Sequence, residues 1–225
     1  MIKVEKIEVW GFEHSVRGLR NPMNSWARSD SSFEKCIKIG ENDLALMRKL
    51  YAAGQPHRKY LRQIFVSMDI TAPLYWWKEF DTYKVGTTAN SCSTMHKIHT
   101  KEFTIDDFSH EHLTGETAGL WANADGRDYM CSAWDFCQIT CDVLNHYREK
   151  YLETKDKKYW WQMIQLLPSS YNQRRTVTMT YENVMNMLDY REGHKLDEWR
   201  EFCEILRALP HVEVIRNGKC LQRAF

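Results

Sequence analysis

Hydrophobic and polar positions change period several times along this chain, and each change marks an element. Ile64, Val66, Met68 and Ile70 alternate with Phe65, Ser67 and Asp69, a period of two that predicts a strand. Val4, Ile7 and Val9 alternate less regularly and predict another near the start. Asn42 or Asp43 can cap a helix running to Ala53, with Leu46 and Leu50 on one side and Gly54 as its stop. Pro73 suits the first turn of a helix that carries Trp76, Trp77, Phe80 and Tyr83. Gly86 then ends that helix and delivers a small polar loop over residues 90–96.

Further on, residues 131–150 and 157–167 read as helices, the second halted at Pro168. Two more helices are expected over 180–191 and 196–209, broken at Gly193. Val184, Met187 and Leu188 share a face on the first of these. Residues 11–32, rich in Gly, Arg, Asn, Pro and Ser, read as a long loop, and residues 97–130 as irregular. The sum is an α+β fold, a small sheet packed with several helices and a helix-rich C-terminal half. No repeat, low-complexity tract or Gly/Ser linker interrupts it, so residues 1–225 are expected to form a single domain.

Composition narrows the function. A net charge of +1 gives no global field to recruit nucleic acid or a membrane. The seven cysteines are odd in number and show no CxxC pair, so neither a disulfide framework nor a zinc ribbon is expected. The first residues lack an apolar signal core and no run reaches membrane-spanning length, which points to the cytoplasm. Nine Trp and eleven Tyr supply wide aromatic surfaces, suited to a heavy core or to ligand walls. His96, His99, His110, Glu111 and His112 are metal-ligating types. Their HxxH and HxH spacing matches no established pattern, and they read as solvated.

The polar run Asn90, Ser91, Cys92, Ser93, Thr94, Met95, His96 packs hydroxyls, a thiol and a carboxamide behind an aromatic approach. Together with two other blocks it resembles the flavin-dependent thymidylate synthases (ThyX). The first block is the strand, Ala72-Pro73 and the helix to Phe80, with Glu79 where many members carry Gln. In the second, Asn90 and Ser93 match the Asn and second Ser of the signature RHRxxSxNExSxRY. Ser91, Met95 and His96 replace its Glu, Arg and Tyr, and Tyr83 and Lys84 fall where RHR stands. The third block runs from Leu167-Pro168 through Asn186 and Arg191 to Glu198-Trp199-Arg200, resembling the family's LP…N…LR…AQWEIR, with 23 positions from Pro168 to Arg191.

The resemblance implies transfer of a one-carbon unit from methylenetetrahydrofolate to C5 of dUMP, with FAD and NADPH. It also implies a homotetramer whose sites are shared between subunits. Arg191 matches the arginine that grips the pyrimidine; its planar donors would stabilise charge spreading onto the ring carbonyls. Ser93 could donate to a phosphate or ring oxygen, or cap the next segment. Both are carried as catalytic and nucleotide-binding, with Glu79, Ser91 and Thr94 as further nucleotide contacts. Tyr83, Lys84, Asn90 and Asn186 are the expected flavin contacts, with Arg20, Arg174 and Arg175 as further cations. Cys92 could act as a nucleophile only with a cation or base such as Lys84 or His96 beside it. Two alternatives stand: a nucleotide-binding protein without turnover on the same fold, and a variant yielding a hydroxymethylated pyrimidine.

Overall fold

The computed structural model describes residues 2–34, 37–122 and 128–216, with backbone alone for 118–122 and 128–129. In chain order its elements begin with strand β1 (Lys3–Trp10) and helix α1 (Phe12–Arg20). Then come helix α2 (Glu41–Ala52), strand β2 (Phe65–Pro73), helix α3 (Leu74–Phe80), strand β3 (Thr87–Ser91) and the single turn α4 (Thr94–Lys97). A hairpin of β4 (Thr117–Ala122) and β5 (Asp128–Ser132) precedes helices α5 (Ala133–Thr154) and α6 (Lys157–Leu166). Strand β6 (Asn172–Thr180) leads to α7 (Tyr181–Arg191), α8 (Asp197–Arg207) and α9 (Val212–Arg216).

These elements cluster into two compact units. The sheet unit holds Ile2–Ile70, Phe80–Asn90 and the chain from Thr176 onward, and the hairpin unit holds Thr71–Glu79 and Ser91–Arg175. The α+β expectation holds, with a four-stranded antiparallel sheet in the order β1-β2-β6-β3.

In the sheet unit the period-two pattern of β2 buries Val66, Met68 and Ile70, and β6 adds Val177 and Met179. The same unit buries the side chains the helical pattern requires: Val184, Met187 and Leu188 of α7, and Trp199, Phe202 and Leu206 of α8. The opposite face carries a polar row, Thr176 donating to Asp69 (2.6 Å) and Thr178 and Ser67 sharing a hydrogen bond (3.1 Å), beside the stacked rings of Trp10 and Phe65. Gly86 has φ +73°, a left-handed turn that disfavours a side chain. Asn183 donates to Val85 O (2.6 Å) and Thr87 Oγ1 (2.7 Å) and so fixes the two sides of that turn.

The hairpin unit packs α5 against α6 over a second core of Ile98, Phe103, Phe108, Cys141, Leu144 and Met163. Ser132 and Asp135 form a capping box that starts α5 at Ala133.

Several expectations change. Residues 11–32 are not a loop throughout: Phe12, Ser15, Val16 and Leu19 are buried at helical spacing and make α1, which the polar composition of the stretch disguises. Residues 97–130 are not wholly irregular, since β4 and β5 pair Thr117 with Ser132 and Ala122 with Asp128. Residues 90–96 are not one loop: Asn90 and Ser91 end β3, and Thr94–Lys97 forms α4. Neither Asn42 nor Asp43 is the cap of α2. Gly40 holds that position, and the Asp30 carboxylate accepts from both backbone amides at 3.0 and 3.3 Å. Tyr83 lies beyond α3, in the turn after it. Cys36 and Cys220 lie outside the described residues; the five described cysteines are free thiols. Among the described residues no helix is long and apolar enough to cross a membrane.

Candidate functional site

Each unit gathers part of the expected set. In the hairpin unit, β3 ends at Ser91 and the chain turns at Cys92 into α4. Two backbone-directed bonds hold that turn: Cys92 N–H donates to Arg174 O (2.9 Å), and the Gln173 carboxamide donates to Cys92 O (2.9 Å). Gln173 is itself buried and accepts from Arg175 Nε (3.0 Å). The Arg175 guanidinium lies 4.2 Å over the ring of Trp77, whose indole N–H donates to Gln173 O (2.9 Å). A turn fixed by a buried carboxamide, an indole and a stacked guanidinium holds its side chains in place without help from a ligand.

Ser93 caps α4, its hydroxyl accepting from His96 N–H at 3.1 Å. The capping role weighed for it is therefore real. A Ser oxygen has two lone pairs and its O–H is still a donor, so a cap leaves it able to donate to a ligand.

Ser93, Thr94 and Cys92 line a cavity of about 260 Å³. That is close to the lower end of small-molecule sites, roughly 300–1,000 Å³, and suits a mononucleotide better than a dinucleotide. Thr71 and Thr100 add hydroxyls, and Lys97, Lys101 and Arg174 add cations. Lys101 pairs with Asp107, whereas Lys97 has no side-chain partner among the described residues. Tyr171 also faces the cavity. Burial raises its pKa, with Asp107 and Cys92 adding to the effect, so the phenol stays a neutral donor. The buried Asn172 Oδ1 has no hydrogen-bond partner among the described residues. Glu79 and Ser91 belong to this unit but do not line the cavity.

In the sheet unit, Arg191 ends α7 and its Nε donates to the Tyr83 hydroxyl at 3.0 Å. Its guanidinium carbon is 5.0 Å from the Trp199 ring centre and 5.7 Å from that of Tyr83. Trp199 is fully buried against Phe80 and Phe202, so a rigid aromatic wall aims the guanidinium. Tyr83 and Arg191 are thus brought together, as two matched blocks of sequence over 100 residues apart. Lys84 and Asn90 are exposed in this unit, and Asn186 is half-buried on α7.

Sequence reasoning missed Lys97 and Lys101, and it placed Arg174 only as a remote cation. The signal for Lys97 was its position at the end of the Ser93-capped turn; Arg174 needed β6, whose polar first half hid it.

No protein-family model matches this sequence, and no curated protein matches it. Solved structures do. Thymidylate synthase X (ThyX) from Helicobacter pylori, crystallised with FAD and dUMP, matches with TM-score 0.66 at 15% identity over 97% of this chain and 99% of that one. A second complex of the flavin-dependent enzyme from the same organism gives TM-score 0.65 at 15% identity over 96% and 99%. The UMP/dUMP methylase PolB from Streptomyces cacaoi, bound with 5-Br dUMP, gives 0.61 at 14% over 98% and 95%. Nearly every residue of the chain superposes on proteins that share about one residue in seven with it, and its fold is that of ThyX.

Proposed function

We propose that this protein is a ThyX-like enzyme of pyrimidine deoxynucleotides, joining the one-carbon unit of methylenetetrahydrofolate to C5 of dUMP with FAD and NADPH. The observation that carries the reading is the cavity around Ser93 and Thr94, on a fold whose solved examples hold dUMP or a brominated analogue. Hydroxyls and cations converge there at mononucleotide size. Lys97 and Arg174 suit a 5′-phosphate, with Ser93 and Thr94 donating to phosphate or ring oxygens. Ser91 and Glu79, which the resemblance also implies as nucleotide contacts, lie outside this cavity and carry no part of the reading.

Arg191 of a neighbouring copy in a homotetramer takes the ring carbonyl. Making C5 nucleophilic puts negative charge on that oxygen, which a guanidinium already fixed by Tyr83 and Trp199 favours without reorganising. C5 then bonds to the methylene carbon as that carbon's bond to a folate nitrogen breaks, the electron pair staying on the nitrogen. The proton on C5 leaves as the new C–C bond settles. Tyr83, Lys84, Asn90 and Asn186 offer a ring, a cation and two carboxamides, a set that fits a flavin's ring edge and phosphate; bound flavin would supply the hydride. A second reading, nucleotide binding without turnover, draws on Met95, half exposed and uncharged where the family has Arg.

Calorimetric titration with dUMP tests the site. Lys97→Ala is expected to weaken binding about tenfold, the scale of one charge-assisted phosphate contact. Ser93→Asn preserves a helix cap while changing the donor. It should weaken dUMP binding with little change in melting temperature. Wild-type affinity in both variants would remove the cavity from the reading.

A further inference from the structure

Beyond the Ser93 cavity, the hairpin unit carries a strip of cations and rings along the end of α5 and the start of α6. Lys97 ends α4 and lines the cavity. Two residues on, the His99 imidazole packs edge-on against Tyr151 of α5, with ring centres 4.9 Å apart. Burial lowers the His99 pKa, and the charges of Lys155, Lys97 and Arg148 lower it further. Three cations thus share the neighbourhood of one imidazole, and Arg148 is held there by donating to His99 O (3.1 Å). Lys157 follows as the first residue of α6. None of these four cations has a carboxylate partner among the described residues, whereas Lys101, Lys150 and Lys158 each have one.

Aromatic rings interleave with these charges. Trp160 packs on the second core, and its indole N–H donates to Met95 O (3.1 Å), which ties α6 to α4. Trp161 stands exposed, held edge-on by Trp160 with ring centres 4.9 Å apart. Lys157 Nζ lies 5.6 Å from the Trp161 ring centre and 5.8 Å from that of Trp160, and Lys155 Nζ lies 5.8 Å from that of Tyr151. An exposed indole backed by an anchored one is a fixed flat platform with a cation at its edge. Rings alternating with cations hold a single nucleic-acid strand, the bases on the rings and the phosphates on the cations. A free mononucleotide fills the cavity and leaves this strip unused. The net charge of +1 supplies no field over the whole chain, so the attraction is local to the strip.

We propose that the Ser93 cavity takes its pyrimidine nucleotide as one unit of a single-stranded polynucleotide. Lys97, Arg148, Lys155 and Lys157 hold the neighbouring phosphates, and Trp161 stacks a neighbouring base. In a single strand no base pair has to break before one base enters a cavity of mononucleotide size. The inference rests on the reading of that cavity as a nucleotide site and extends it to the substrate class.

Fluorescence anisotropy with a labelled single strand of about 12 deoxyuridylates, within the span of one single-strand site, tests it across a salt series. The strand should bind at least tenfold more tightly than dUMP, and dUMP should displace it. The logarithm of its affinity should fall against that of salt concentration with a slope of about −3, roughly 0.7 per cation. The triple variant Lys155→Ala, Lys157→Ala, Trp161→Ala changes exposed side chains alone, and circular dichroism checks its fold. It should lose at least tenfold in strand affinity while calorimetry finds its dUMP affinity unchanged. The proposal is wrong if the strand binds no tighter than dUMP, or if the triple variant binds it like the wild type. Equal affinity for polyglutamate or for the matching duplex would overturn it too, as would strand binding that dUMP does not displace. Any of these results with dUMP binding intact overturns the strand alone; no dUMP binding at all overturns the cavity reading with it.

Discussion

Replacing Arg20 with methionine is expected to destabilise the protein by about 3–5 kcal/mol, the scale for breaking a buried ion pair from one side. Arg20 and Asp43 are 23 positions apart in sequence and both inaccessible to solvent. Arg20 donates through Nε to Asp43 (2.6 Å) and through Nη1 to Ser25 O (3.3 Å), so one side chain ties α1 to α2 and to the segment between them. Without it the Asp43 carboxylate stays buried with only the Ser29 and Ser31 hydroxyls and the Asp30 amide (3.3 Å) for partners. Urea denaturation monitored by circular dichroism measures the loss. Arg20→Met with Asp43→Leu should recover a substantial part of it, because no buried charge is then left unpaired. The pH dependence follows from the same pair. Burial acts to raise the Asp43 pKa, but the hydrogen bonds from Ser31, Ser29 and Arg20 outweigh it and hold the value below 3.8. A carboxyl lowered on folding stabilises the protein above its unfolded value, and that contribution is lost as pH falls through the folded one. Wild-type stability should therefore drop steeply only below about pH 4, the unfolded Asp range, and Asp43→Asn should flatten that limb.

Trp199→Ala should cost about 3–5 kcal/mol as well, the range for truncating a large buried aromatic. Its ring is fully buried, with ring centres at 6.4 Å from Phe80, 6.1 Å from Phe202 and 6.1 Å from Tyr83. The second consequence concerns chemistry. The Arg191 guanidinium rests 5.0 Å from that ring, so the truncation removes the wall that aims it. Trp199→Phe keeps an aromatic wall and most of the volume. It should cost less stability and retain more of any dUMP affinity than alanine does. Denaturation curves and calorimetry on the two variants separate packing from aim: equal dUMP affinity in both would show that the wall does not position Arg191.

Much of this arrangement could be read from the chain, for physical reasons that differ by element. Strand β2 and helix α7 announce themselves because one face of each is fully buried, which forces a clean period on the sequence. Helix α1 was hidden because its exposed face carries Glu13, His14 and Arg17, and these with Gly18 outvote Phe12, Val16 and Leu19 in composition. Strand β6 was missed because its first four residues, Asn172 to Arg175, are polar, Gln173 among them holding the Cys92 turn, and only Val177 and Met179 alternate. The Asp43 carboxylate looked like a helix cap because capping residues and buried ion-pair partners are the same residue types; only the tertiary contact with Arg20 separates them. Of the expected site, Ser93 and Thr94 meet in a cavity and Tyr83 meets Arg191, whereas the cations Lys97 and Lys101 had no motif to mark them. Likeness in fold at about 15% identity preserves the backbone path and leaves the chemistry to be carried by individual side chains.

The reading as a whole turns on whether C5 of a pyrimidine nucleotide reacts on this protein. Release of tritium into water from C5-tritiated dUMP, with FAD, methylenetetrahydrofolate and NADPH present, measures that step directly. Enzyme-dependent release is expected, at least tenfold lower in Arg191→Ala and in Lys97→Ala under subsaturating dUMP. Saturable dUMP binding with no tritium release above the protein-free rate would contradict the enzyme reading and leave a nucleotide-binding protein on the ThyX fold.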